Sequence, residues 1–125
     1  MNVFSGHKFF ILKGKSWLCE VGTCIKLCNS EESLALIKEV DGSWSLLSKL
    51  RVNEECIGPY AVLVFDPTGP ETIGFLATIT RILAEEKIPI LAYSSYGRDY
   101  VLVPYSRLEE AVKALMEYGF VLKSL

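Results

Sequence analysis

Two short stretches hold residue types from which a binding site can be made. The first, Asp66-Pro-Thr-Gly-Pro-Glu-Thr-Ile-Gly74, has two prolines that stiffen a loop and Gly69 that lets it turn, and it runs into apolar residues at helical spacing. A loop that ends on a helix N-terminus offers unpaired N–H groups and the positive end of the helix dipole, a combination that suits a carboxylate. Asp66, Gly69, Thr72 and Gly74 are therefore candidates, with Gly74 expected in the first turn, where it leaves the backbone open to a ligand. The second stretch is the polar turn Ser94-Ser-Tyr-Gly-Arg-Asp99. Asp99, between Arg98 and an apolar run, could hold an ammonium or guanidinium through charge-assisted hydrogen bonds. Plainer roles stand beside these: a strand-to-helix connection with its cap, and a turn aspartate bonding its own backbone.

Catalysis is poorly equipped by comparison. The single histidine, His7, would have to serve any Ser-His-Asp or Cys-His arrangement, and nothing around it recommends that. Neither Gly69-Pro nor Gly97-Arg-Asp has the glycine spacing or the Lys-Ser/Thr of a phosphate loop. Cys19, Cys24, Cys28 and Cys56 contain no Cys-x-x-Cys, so a structural zinc site is not expected, and reduced core thiols are the expectation instead. The expected protein is not an enzyme and carries no cofactor or metal.

The elements that would position the two stretches follow from hydrophobic periodicity. Ile73, Leu76, Ile79, Ile82 and Leu83 recur at intervals of three and four, which predicts a helix over Thr72 to Glu86. Leu108, Ala111, Val112, Leu115 and Met116 predict a second over Arg107 to Tyr118, with Ser106 as its cap and Gly119 as its stop. Apolar segments at Tyr60 to Phe65, Ile88 to Tyr93, Tyr100 to Val103 and Phe120 to Lys123 read as strands. The order is β-α-β-β-α-β, a ferredoxin-like α+β fold expected as a four-stranded antiparallel sheet with both helices on one face.

The first 57 residues are less legible. Lys8 to Lys13 and Ser16 to Val21 read as two strands joined at Gly14, and Asn53-Glu-Glu-Cys-Ile-Gly-Pro59 has the polarity of a junction between units. Asn29 to Gly42 fits a helix, since Asn29 with Glu32 imitates a capping box.

The loop Asp66 to Ala77, the run Leu83-Ala-Glu-Glu-Lys-Ile-Pro-Ile90 and the string Ser94-Ser-Tyr-Gly-Arg-Asp-Tyr-Val-Leu-Val103 together resemble an ACT domain. The resemblance is to small bacterial and archaeal tandem-ACT proteins related to the arginine sensors of the CASTOR type. It implies a degenerate ACT-like unit over 1–57 and a complete ACT domain over 58–125. It also implies a strand at Leu34 to Glu39 in place of the helix, and another over Trp44 to Val52. In that family the threonine-aromatic pair and the aspartate of the string contact a bound amino acid, which carries over to Ser95, Tyr96 and Asp99. Here serine stands where threonine is usual, and arginine as the particular ligand is not implied.

A formal charge of -2 gives no electrostatic reason to approach nucleic acid or an anionic membrane. No apolar run approaches the roughly 20 residues that span a bilayer, and no leader pattern opens the sequence, so a cytoplasmic location is expected. The hydrophobic share of 50% implies apolar surface that a partner covers, and the resemblance to ACT proteins, whose units commonly pair, implies that the partner is a second copy in a homodimer. Two functions remain: a non-catalytic sensor binding a small molecule such as an amino acid, or a structural or protein-interaction domain whose role is dimerisation.

Overall fold

The computed structural model describes residues 3–22 and 30–124. The chain divides into two compact units, one made of Met1–Lys13 with Ala61–Leu125 and the other of Gly14–Tyr60.

In the larger unit the expected order is present: β5 (Cys56–Phe65), α1 (Phe75–Glu85), β6 (Leu91–Ser94), β7 (Asp99–Pro104), α2 (Leu108–Glu117) and β8 (Val121–Leu122). The sheet differs from the expected four antiparallel strands. Strand β1 (Lys8–Ile11) lies between β5 and β8, antiparallel to the first and parallel to the second, and β7 joins β5 to β6. The result is a mixed ferredoxin-like sheet in which the N-terminal strand occupies the place next to β5. The expected boundary at residue 57 accordingly assigns β1 to the wrong partners, because its hydrogen-bonded neighbours are β5 and β8.

Both helices cover one face. Alternate residues Ala61, Leu63 and Phe65 of β5 and Val101 and Val103 of β7 point to that face with Phe9. They pack against Phe75, Ile79, Ile82 and Leu83 of α1 and Ala111, Ala114 and Leu115 of α2. These positions are close to fully buried, so the spacing of three and four in each helix is the spacing of its core stripe.

The helix limits depart from expectation in two ways. Helix α1 starts at Phe75 because Gly74 takes a left-handed conformation at the N-cap, so Ile73 lies before the helix and is 92% exposed rather than part of its apolar face. Ser106 does not cap α2; it lies in a 3-10 turn over Tyr105–Arg107. Arg107 organises that end instead. Its guanidinium bonds Glu110 and also donates to the carbonyls of Glu86 (3.2 Å) and Lys87 (3.4 Å), tying the start of α2 to the end of α1.

The smaller unit is an antiparallel sheet. Strands β2 (Ser16–Val21), β3 (Ser33–Lys38) and β4 (Trp44–Ser48) run in the order β3-β4-β2, and β2 pairs further with Cys56 to Tyr60 at the start of β5. Residues 33–38 thus form a strand, not a helix. Asn53 to Pro59 is not a plain junction, since β5 begins at Cys56. Cys19 and Cys56 stand directly opposite each other across β2 and β5 and form a disulfide, which overturns the expectation of reduced thiols for this pair. Cys24, Cys28 and Asn29 lie outside the described residues.

Candidate functional site

A cleft of about 350 Å³ opens in the larger unit, where the loop before α1 meets the β6–β7 turn. Gly69, Thr72, Gly74, Ser95, Tyr96 and Asp99 all line it. Asp66 does not. Its carboxylate pairs with Lys123, its N–H donates to the carbonyl of Lys8 (3.0 Å), and its own carbonyl accepts from Nε2–H of His7 (2.8 Å). With these bonds Asp66 fixes the root of the loop instead of facing the cleft. The lone histidine has found a structural use at the same place, its ring set edge-on to Phe75 at 4.7 Å.

The loop closes through a turn in which Thr72 N–H donates to the carbonyl of Gly69 (3.0 Å). It delivers the chain to α1 with no side-chain cap. The first intrahelical bond runs from Thr78 N–H to the Gly74 carbonyl (2.9 Å), and Thr78 Oγ1–H donates to the same oxygen. The amides of Phe75, Leu76 and Ala77 therefore have no acceptor within the helix, and all three residues line the cleft. Phe75 holds this end in place. Its ring sits edge-on to Phe4, Phe65 and Phe120 at 5.0, 5.8 and 6.1 Å, so the amides are presented from a buried aromatic anchor.

The opposite wall is the hairpin. Register pairs Tyr93 with Tyr100 and Ser94 with Asp99. The two tyrosine rings stack at 4.5 Å and 7°, and burial, helped by Tyr100, pushes the Tyr93 phenol up to about 12. One residue further on, the Ser94 hydroxyl donates to Oδ1 of Asp99, leaving Oδ2 without a partner among the described residues. Ser95 is used by the turn itself: its N–H donates to the Arg98 carbonyl (2.8 Å) and its Oγ accepts from Arg98 N–H (3.2 Å). Tyr96 at the tip is fully exposed.

Sequence reasoning missed Ser94 and gave Arg98 no task, although both line the cleft. Ser94 was detectable as the residue that a hairpin register must set opposite Asp99. Arg98, by contrast, shows no sequence signal that distinguishes it from a solvated turn arginine.

A family model described as ACT domain matches residues 59–117, the span that holds both helices and both walls of the cleft. Residues 59–117 are thus similar to an ACT domain over a little under half of the chain. Several solved structures share the fold over nearly the whole chain. A Vibrio cholerae protein of unknown function, described as a possible transport protein, superposes with a TM-score of 0.77 at 20% identity, covering 91% of each chain. An Agrobacterium tumefaciens protein does so with 0.77 at 18% identity over 96% of each. Clostridium acetobutylicum aspartate kinase, an allosteric enzyme, matches with 0.62 at 19% identity over 87% of this chain and 34% of its own. At such identities the likeness to these structures is one of fold alone. No curated protein matches the sequence significantly.

Proposed function

We propose that this protein is a non-catalytic sensor that binds a small molecule, an amino acid, in the cleft between the start of α1 and the β6–β7 turn. The observation that carries this reading is the convergence of two complementary polar groups on one cavity: the amides of Phe75, Leu76 and Ala77, which have no acceptor among the described residues, and the carboxylate of Asp99. A free amino acid has a carboxylate for the first and an ammonium for the second. The cleft lies at the small end of the range for ligand pockets, about 300–1,000 Å³, which suits a metabolite of that size. The likeness of the Ser95-Tyr96…Asp99 string to amino-acid sensors supports the same assignment, as does the fold shared with an allosteric aspartate kinase.

The cleft is flanked by two large apolar side chains turned wholly to solvent, Ile73 at 92% and Tyr96 at 110% exposure. Their exposure supports completion of the site by a second copy of the chain. Dimerisation without a ligand is the second reading, favoured by an apolar groove of about 610 Å³ that Ile11 forms with Leu108, Val112 and Met116 of α2.

Thermal denaturation with a panel of the common amino acids separates the two. A ligand present at 100 times its Kd stabilises the fold by about 2.7 kcal/mol, and Asp99→Ala should abolish that gain. A melting point that no amino acid moves would leave dimerisation as the better account.

A further inference from the structure

The charged side chains lining the cleft are Arg98 and Asp99. Asp99 is partly engaged by the Ser94 hydroxyl, whereas the Arg98 guanidinium makes no hydrogen bond or ion pair among the described residues. Other arginines of this unit are committed: Arg107 to Glu110 and to backbone carbonyls, Arg81 to the Tyr118 hydroxyl. The cleft therefore offers two electropositive features, the amide end of α1 and Arg98, against one carboxylate.

Resting on the reading of this cleft as an amino-acid site, we propose that its ligand is an acidic, dicarboxylic amino acid. The α-carboxylate goes to the amides of Phe75, Leu76 and Ala77, the ammonium to Asp99 and the side-chain carboxylate to Arg98. Three charged groups on the ligand then meet three complementary features of the wall. A neutral side chain leaves Arg98 without a partner, and a basic one brings like charge against it. Arginine is also the side chain whose planar fork matches a carboxylate with two parallel hydrogen bonds, a geometry that an amide or ammonium cannot return.

The test is calorimetric titration of the full chain with L-glutamate, L-aspartate, L-glutamine, L-asparagine, L-lysine and L-arginine. The expected result is that one of the acids binds at least about tenfold more tightly than its amide and than either basic amino acid, and that rising salt erodes the difference. Arg98→Gln should remove about that factor from the acid while leaving its amide unchanged, and Arg98→Lys should restore part of it. Arg98 lies at an exposed turn, so melting curves of both variants should match the parent. Equal affinity for acid and amide, preference for lysine or arginine, or an Arg98→Gln loss shared by acid and amide would overturn the acidic-ligand assignment and leave the amino-acid site standing. Binding by none of the six would overturn the acidic-ligand assignment, and the melting panel of the common amino acids then decides whether the amino-acid site itself stands.

Discussion

Replacing Gly74 with alanine isolates the backbone that starts α1. Gly74 has φ 83° and ψ 5°, a left-handed conformation, and a Cβ built there would meet nothing within 4 Å. Crowding is therefore absent and the cost is conformational. Holding an L-residue in that region costs roughly 1–2 kcal/mol, and replacing glycine recovers about 0.4–1 kcal/mol by restricting the unfolded chain, which leaves a net loss of about 1 kcal/mol. For a chain of this length that lowers Tm by about 4 °C. Asparagine, which tolerates the left-handed region, should lose less, and valine, branched at Cβ, should lose more than alanine. Gly97 is the control: a Cβ there also meets open space, and it lies outside the positive-φ glycines, so Gly97→Ala should be close to neutral. Calorimetry or circular dichroism melting of the four variants reads the series directly. A Gly74→Ala protein as stable as the parent, or an asparagine variant no better than alanine, would refute the argument that Gly74 is needed for its backbone angle. The sequence expectation assigned Gly74 to the first turn as a place for ligand approach; the structure makes it the residue that sets where the helix begins.

The remaining predictions concern covalent and protonation chemistry. A non-reduced digest should yield the Cys19 and Cys56 peptides joined, and Cys19→Ala/Cys56→Ala should lose about 4 kcal/mol of stability under oxidising conditions, the loop-closure value for a separation of 37 residues; recovery of both as free thiols would refute the pairing. Tyr93 is raised from 10.0 to about 12, so the fold favours its neutral form: that stabilisation is complete below pH 10 and is lost as pH rises through 12. Ultraviolet titration should show a tyrosinate transition near pH 12 that Tyr93→Phe removes, and its disappearance from a transition near pH 10 instead would contradict the burial of that phenol.

Much of the larger unit was legible because its signals are local. The stripes Ile79-Ile82-Leu83 and Ala111-Leu115 specify helices within a few turns of chain, and the apolar run before Ser94 with the one after Asp99 specifies a hairpin. The same locality made Ser95, Tyr96 and Asp99 visible as one turn, and Gly69, Thr72 and Gly74 as one loop. Helix starts were less legible, because Ile73 continues the apolar period although the left-handed Gly74 interrupts the helix after it.

Over residues 58–125 the sequence by itself determined which segments are strands and helices and in what order, since a period of two or near four is a property of neighbouring residues, whereas over 33–38 a helical pattern gave way to a strand paired with β4. Only the tertiary structure decided who pairs with whom. Alternation in Lys8–Ile11 tells which face Phe9 takes, yet nothing in it tells that the strand enters between β5 and β8 rather than beside β2. Cys19 and Cys56 became partners through the register of β2 against β5, and Asp66 lost its place in the candidate site through an ion pair with Lys123, far along the chain. Arg98 became the cation of the cleft that has no partner among the described residues in the same way, because the charge balance of a cavity depends on which distant groups are already engaged, and that is fixed only when the chain closes on itself.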